Sequence, residues 1–199
     1  MTWRKLRIRI LRLFFLPLLF LAVFVRPSWP AHSQIAFYIE LSGYLFLLTG
    51  LAIRIWCICF IGGRKSKLLI NQGPYSLCRN PLYVGTFLLV IGAGLCFENL
   101  IMLAFCLGVM APVHVAVVLM EEKHLDKLFG EEYRRYQQTV PRFWPRLRNY
   151  KSPETITIYT RAIRRIAVDT AFVLLLPEIE DWLEVLHDID VLPVLWHFP

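Results

Sequence analysis

The chain has 199 residues, of which 57% are apolar, 14% aromatic and 19% charged. This composition is too apolar for a soluble domain of that length and indicates a protein of the lipid bilayer. The formal net charge of +7 could suit nucleic acid, but the basic residues lie beside apolar runs and form no recognition element with interleaved aromatic side chains; lipid head groups explain them better, and no nucleic-acid partner is expected.

The first apolar run covers about residues 13–25 and follows a cluster of basic residues. It is either a first membrane span, short unless its flanks extend it, or the apolar region of a signal peptide with a small-x-small cleavage site at residues 31–33. Arg26 and Trp29 between the run and that site are untypical of a cleaved signal. Both interpretations leave the same topology for the rest of the chain.

Three further apolar runs are placed as membrane-spanning helices, at about residues 35–61, 82–97 and 100–120. Pro81 suits the first turn of the third span, because its missing N–H would have no partner there. Pro112 interrupts the fourth span. The predicted fold class is therefore all-α: a multi-pass bundle of about four transmembrane helices, with a cytoplasmic connector and interfacial helices at the C-terminus.

The distribution of lysine and arginine predicts the orientation of the bundle. These residues cluster before the first span, between the second and third spans, and after the fourth, whereas only Arg26 lies between the first two spans. The positive-inside rule then places both termini and the connector in the cytoplasm, in a bacterial inner membrane or a membrane of the endoplasmic-reticulum type.

The chain divides by composition into a membrane core, residues 1–150, and a C-terminal extension, residues 151–199. The extension has a basic patch, an apolar run that is broken by Asp169 and too short to span, and an acidic end. We expect an interfacial or packing helix with a basic face toward the head groups, followed by a short acidic helix that caps the site or mediates association; the sequence does not decide between these roles. The sequence makes no prediction of oligomeric state.

Several common catalytic and metal-binding patterns are absent from the sequence. The five cysteines, an odd number in apolar segments, match neither a disulfide framework nor a zinc site. No nucleophile elbow, H-E-x-x-H motif or glycine-rich phosphate loop occurs, and no metal site is predicted. Strands and helices do not alternate, which excludes a Rossmann-type methyltransferase.

Two segments rich in functional residue types flank the third and fourth spans. Residues 73–83 read G-P-Y-S-L-C-R-N-P-L-Y, and residues 121–136 read E-E-K-H-L-D-K-L-F-G-E-E-Y-R-R-Y. They resemble the isoprenylcysteine carboxyl methyltransferase and phospholipid methyltransferase superfamily, whose hallmark pairs G-x-Y-x-x-x-R-[HN]-P-x-Y with a later E-E-x-x-L-x-x-x-F-G-x-x-Y-x-x-Y. The resemblance covers about residues 50–145 and implies a membrane enzyme that uses S-adenosyl-L-methionine.

The resemblance also implies which residues contact that cofactor. Arg79 suits a bidentate bond to its carboxylate, Glu121 can accept from its ammonium group, and tyrosine faces suit a cationic centre. Most members have His where Asn80 stands, so a role that needs a titrating imidazole is in doubt here. The full set of predicted cofactor contacts is Lys67, Leu68, Leu69, Ile70, Tyr75, Arg79, Asn80, Pro81, Leu82, Tyr83 and Glu121.

The implied reaction is direct methyl transfer to a lipophilic or lipid-linked acceptor that arrives laterally between the spans. An amine acceptor needs a base, for which Glu122 and His124 are the candidates, whereas a carboxylate needs none. His114, two turns before the paired glutamates, is either a functional group within the membrane or a partner for carbonyls freed by Pro112. Val117 stands where members acting on prenylcysteine carboxylate have Arg, which weakens that choice of substrate.

Two other classes of function stay open. Membrane sterol reductases, which use NADPH, are similar in the tail region, although their larger helical core and basic cluster for the 2′-phosphate are not evident here. A non-enzymatic membrane adaptor with a degenerate pocket would account for Asn80, Val117 and the unusual tail. Binding of S-adenosylhomocysteine, of NADPH or of neither distinguishes the three possibilities.

Overall fold

The structure, a computed structural model, describes residues 17, 19–27, 33–64 and 67–198. These residues are mostly helical, as predicted. The helices are α1 (Gln34–Ile61), α2 (Pro74–Leu77), α3 (Pro81–Cys96), α4 (Leu100–Phe129), α5 (Glu131–Thr139) and α6 (Thr160–Asp188), with a 3-10 turn at Leu147–Asn149. Two short strands, β1 (Val25–Pro27) and β2 (Trp196–Phe198), pair in parallel.

Helices α1, α3 and α4 coincide with the second, third and fourth predicted spans. By length and apolar composition α1 and α4 could each cross a bilayer, whereas α3 has 16 residues and is shorter. Helix α4 continues beyond the predicted limit to Phe129, so the paired glutamates lie on the same helix as the fourth span. Most of the first predicted span, together with residues 31 and 32 of the cleavage site, lies outside the described residues; residues 19–24 are helical.

The helices begin at side chains suited to that position. The Ser33 hydroxyl accepts from the backbone N–H of Ala36 at 3.2 Å and caps α1. Asn99 caps α4 in the same way, accepting from Met102 N–H at 2.8 Å. Pro81 is the first residue of α3, as predicted.

Glycines bring α1 and α3 into close contact. Gly43 and Gly50 lie on α1, and Gly85 and Gly92 lie on α3; each pair is two helical turns apart and therefore on one face. A Cβ atom on Gly43 would lie 2.8 Å from the backbone nitrogen of Cys96, and one on Gly50 would lie 2.9 Å from the carbonyl oxygen of Gly85. Small residues of this kind allow helix backbones to approach in membranes.

Large apolar side chains remain exposed on the outer surfaces of the bundle. On α1 these include Phe37, Tyr38 and Leu45, and on α6 they include Phe172 and Trp182. Exposed apolar surface of this extent is unusual for a soluble monomer and suits contact with lipid.

The C-terminal extension contains one long helix rather than the two short ones predicted. Helix α6 has 29 residues, which corresponds to a length of about 43 Å. The prediction was wrong because it divided the extension between its apolar run and its acidic end, whereas the helix continues through this junction at Pro177. Within the apolar run, the Asp169 carboxylate lies 3.7 Å from Arg54 Nη2 on α1, and this ion pair offsets its charge.

Helix α6 runs antiparallel to α1, from the connector to the far end of the bundle. Its last turn binds the segment before α1: Arg26 Nη1 lies 3.2 Å from Asp188 Oδ1, and His187 Nε2 lies 2.8 Å from the carbonyl oxygen of Val23. That far end also holds Asn99, which donates to the Val25 carbonyl. The end of α6 therefore lies at the end of the bundle opposite the connector. The side of the membrane on which each terminus lies stays a prediction.

Candidate functional site

A cavity lies beside the connector, residues 62–80, which joins α1 to α3. Its other walls come from the end of α1, the start of α3, the second half of α4 and α5. Every predicted cofactor contact lines it except Lys67 and Pro81. The Lys67 backbone N–H instead donates to the Arg64 carbonyl in a turn. The lining residues are Ile61, Leu68, Leu69, Ile70, Tyr75, Arg79, Asn80, Leu82, Tyr83, Glu121, Glu122, Leu125, Tyr133 and Tyr136.

The connector reaches this position through a glycine turn and backbone hydrogen bonds. Gly73 has φ +59°, and a Cβ atom there would overlap the Phe60 ring, so this close approach requires glycine. Its N–H donates to the Lys151 carbonyl at 2.8 Å, and the Arg79 N–H donates to the Pro141 carbonyl at 2.8 Å. Residues 141–151 therefore hold the connector against the bundle.

Glu122 is the centre of a buried ion-pair cluster. Its side chain is 7% exposed. Arg142 Nη2 lies 2.8 Å from Oε2, and Arg79 Nε lies 3.1 Å from Oε1. The Asn80 amide donates to the same Oε1 at 3.3 Å. The cluster joins α4, the connector and the segment after α5, and the hydrogen bond to Glu122 raises the pKa of Arg142.

Arg79 also caps the end of α5. Its Nη1 donates to the carbonyl oxygens of Gln137 at 2.8 Å and Val140 at 3.0 Å. The last carbonyls of a helix have no partner within the helix, and an arginine side chain can supply one. Two of its nitrogen atoms are thus engaged by the protein. Nη2 has no hydrogen bond to another described residue and could meet the carboxylate of a ligand.

Glu121 is the second carboxylate of the cavity and is placed differently from Glu122. Consecutive residues of a helix point about 100° apart, so the two carboxylates meet different hydrogen-bond partners. The Tyr83 hydroxyl donates to Glu121 Oε2 at 3.1 Å across the gap between α3 and α4. Tyr83 and Glu121 are half-buried and line the cavity.

Tyr75 carries a buried hydroxyl that makes no hydrogen bond to nitrogen or oxygen within the described residues. Its polar neighbour is the Cys57 thiol, which is a weak partner. Burial raises the pKa of Tyr75 well above its usual value, so the hydroxyl remains a donor. An unsatisfied buried hydroxyl at a cavity is costly, and a polar atom of a ligand would satisfy it.

Four lining residues were not among the predicted site residues: Ile61, Leu125, Tyr133 and Tyr136. The two tyrosines are three positions apart on α5, a spacing that puts them on one face. Tyr136 donates to the Tyr75 carbonyl at 2.6 Å. Burial, reinforced by the Glu122 carboxylate, raises the pKa of Tyr133 to about 12. The Y-x-x-Y spacing could have indicated this role from the sequence.

The predicted catalytic residues do not come together. Glu122 is held by two arginines, and His124 is exposed and does not line the cavity. His114 packs behind Tyr83 with ring centres 5.6 Å apart. Its Nδ1 lies 2.8 Å from the Met110 carbonyl oxygen, not from the Gly108 carbonyl that a proline at position 112 frees.

Comparison with known proteins gives the following matches. Residues 39–132 match the phospholipid methyltransferase family. The chain is 35% identical over 139 residues to the cobalt-zinc-cadmium resistance protein CzcN of Cupriavidus metallidurans, covering 70% of this chain and 64% of that protein. It is 35% identical over 121 residues to the nickel-cobalt-cadmium resistance protein NccN of Alcaligenes xylosoxydans xylosoxydans, covering 61% and 56%.

A third relative is the protein-S-isoprenylcysteine O-methyltransferase of Schizosaccharomyces pombe, 30% identical over 77 residues, covering 39% of this chain and 33% of that enzyme. The matches thus span less than two thirds of each relative's length. No solved structure matches the chain significantly. The resemblance drawn from the motifs is confirmed: residues 39–132 of this chain are similar to the phospholipid methyltransferase family.

Proposed function

We propose that this chain is an integral membrane methyltransferase that uses S-adenosyl-L-methionine and acts on a lipophilic or lipid-linked acceptor at the cytoplasmic interface. One observation carries the proposal. Glu121, Arg79 and Tyr75, the last with a buried hydroxyl that has no hydrogen bond to nitrogen or oxygen among the described residues, line one cavity within the two family motifs.

The lining residues have the chemistry that the cofactor requires. Arg79 Nη2 would bind the carboxylate of its amino-acid end, and Glu121 would accept from the ammonium group. The Tyr75 hydroxyl would donate to a polar atom, and the faces of Tyr83 and Tyr133 suit a cationic sulfur or a base. When bound, S-adenosyl-L-methionine supplies an electrophilic methyl group, and the acceptor forms a bond to this carbon while the electron pair of the broken carbon–sulfur bond stays on sulfur.

The chain's contribution to catalysis would be positioning and exclusion of water. Holding two reactants in the correct geometry can supply roughly 7–11 kcal/mol of a barrier. Glu122 is a positioning residue in this proposal, because its ion pairs with two arginines oppose its use as a base. His124 is exposed, so the cavity favours an acceptor that does not have to lose a proton.

The cavity is small for a nucleoside. Its volume of about 90 Å³ is below the range of roughly 300–1,000 Å³ typical of ligand sites. Binding of the cofactor would therefore require the cavity to widen.

For the membrane we propose four spans, with a first span before residue 25 and the connector on the cytoplasmic side. Helices α1 and α4 have the required length, and α3 packs between them through glycine contacts. This arrangement would open the candidate cofactor site to the cytosol and leave the lipid-facing sides of the bundle for the acceptor.

Calorimetric titration of the detergent-purified protein with S-adenosylhomocysteine, beside NADPH, tests the proposal. We expect saturable binding of the former, weakened by about tenfold or more in Glu121→Ala and Tyr75→Phe, and unchanged in Glu132→Ala, an exposed carboxylate on α5. Binding of NADPH alone would point to the reductase, and binding of neither ligand to the adaptor; either result would refute the proposal.

A further inference from the structure

A second cavity lies next to the first, between the end of α1, the start of α3 and the start of α6. Its volume of about 620 Å³ is within the range of roughly 300–1,000 Å³ typical of small-molecule sites. Ile61 and Leu82 line both cavities, which therefore share a wall. The outer wall comes from residues 158–169, beyond the segment that matches the family.

This outer wall is held in place by close contacts. A Cβ atom on Gly62 would lie 2.6 Å from the Cβ of Ala162, so α6 touches the end of α1 at this point. The Tyr159 ring packs over Gly63, whose φ of +71° favours glycine. Arg64 Nη2 donates to the Thr157 carbonyl at 3.0 Å. These contacts fix the start of α6 against the end of α1, so the cavity between them is part of the packed fold.

The interior of the second cavity is apolar and its rim is basic. Ile58, Ile61, Leu82, Ile158 and Ile166 form the apolar part. Helix α6 presents positions 161, 162, 165, 166 and 169, a spacing that follows one helical face. Arg164, between them in sequence, does not line the cavity.

The rim has an excess of positive charge. Arg161 and Arg165 line the cavity and are exposed, and neither has an acidic partner within ion-pair distance among the residues that the structure describes. The lining carboxylate of Asp169 is paired with Arg54 at 3.7 Å, so its charge is already offset. Two such guanidinium groups above an apolar space suit an anionic head group with an apolar chain.

We propose that this second cavity binds an amphiphile with an anionic carboxylate or phosphate head group. Ile61 and Leu82 form the wall between it and the first cavity, so this binding does not depend on the proposed methyltransferase function.

The test is a titration of the full chain in dodecyl maltoside with mono-oleoyl lysophosphatidic acid. Mono-oleoyl lysophosphatidylcholine, with the same chain and a zwitterionic head group, and inorganic phosphate are the comparison ligands. We expect saturable binding of the anionic lipid with a Kd at least about tenfold lower than that of either comparison ligand. Arg161→Gln and Arg165→Gln should each weaken it several-fold, and Thr160→Trp should block it by filling the cavity.

Arg164→Gln is the matched control, because it removes the same charge from the same helix outside the cavity. If Arg164→Gln weakened lipid binding as much as Arg161→Gln and Arg165→Gln, or if both lipids bound equally well, the basic residues would act only as general membrane anchors. Either result would overturn the proposal. Titration of each variant with S-adenosylhomocysteine separates the two hypotheses. If lipid binding fails while S-adenosylhomocysteine binds, this inference falls and the proposed function stands; the reverse result leaves a lipid site without a methyltransferase.

Discussion

Arg142 binds Glu122 through two nitrogen atoms, with Nη2 2.8 Å and Nε 3.1 Å from Oε2. Glu122 lies on the long helix α4, and Arg142 lies in the segment that follows α5. Because Arg79 of the connector occupies the other carboxylate oxygen, one side chain holds three chain segments at the cavity. Removal of this carboxylate should therefore affect the fold more than a surface ion pair would.

We expect Glu122→Ala to lower the free energy of unfolding by about 3 kcal/mol, since it leaves the buried guanidinium of Arg79 without its counterion. For a chain of this size, the Tm should fall by roughly 6–12 °C. Thermal unfolding in detergent, followed by intrinsic fluorescence, measures the change. Glu132→Ala removes an exposed carboxylate on α5 and should leave the Tm within about 2 °C. Equal Tm values for the two variants would contradict the central role of Glu122.

The two arginines should differ in importance. The Arg79 side chain is 10% exposed and donates to two carbonyls of α5 as well as to Glu122, whereas that of Arg142 is 43% exposed. We expect Arg79→Ala to cost about 3–5 kcal/mol and Arg142→Ala about 1 kcal/mol, because solvent screens the exposed pair. The same thermal unfolding assay ranks them, and the reverse order would contradict this account.

Much of this architecture could be predicted from the sequence. Apolar length placed α1, α3 and α4, and the predicted site residues include ten of the fourteen that line the first cavity. Long-range pairing could not be predicted: the sequence does not show that Arg54 pairs with Asp169. Nor does it show that the chain stays helical across Pro177, so one long helix was interpreted as two. Likewise, adjacent glutamates are equivalent in a motif, and only the tertiary structure shows that Arg142 binds Glu122 while Tyr83 binds Glu121.

Tyr83→Phe should separate binding from stability. It removes the hydroxyl that donates to Glu121 at 3.1 Å and preserves the ring that packs against His114. We expect the affinity for S-adenosylhomocysteine to fall by about three- to tenfold, because Glu121 loses a group that orients it, while the free energy of unfolding changes by about 1 kcal/mol or less. Calorimetry and thermal unfolding give the two numbers. A variant that binds normally would show that Tyr83 does not orient Glu121.

Cys78 should be unreactive in the folded protein. It is 2% exposed, and burial raises the pKa of its thiol to about 11. At pH 8 the thiol is therefore protonated, and alkylation by iodoacetamide, read by peptide mass spectrometry, should be slow until the protein is denatured. Because the folded-state pKa is raised, the folded form binds this proton more tightly, so stability should fall as pH rises from about 9 to 11. In Cys78→Ala this alkaline loss should be smaller.

Gly73→Ala should damage the site through two separable effects. Gly73 has φ +59° and ψ −132°, a conformation that costs a residue with a Cβ about 1–3 kcal/mol, and the added atom would also overlap the Phe60 ring. Gly130 has nearly the same backbone angles, φ +53° and ψ −125°, but open space around it.

Gly130→Ala should therefore show the backbone strain alone, and Gly73→Ala should unfold at a still lower temperature and lose affinity for S-adenosylhomocysteine. Gly108 lies inside α4 with nothing within 4 Å of an added Cβ atom, so Gly108→Ala should be neutral or slightly stabilising. Equal Tm values for Gly73→Ala and Gly130→Ala would mean that the Phe60 ring yields to the methyl group. The connector would then be held by its hydrogen bonds to Lys151 and Pro141 rather than by packing against α1.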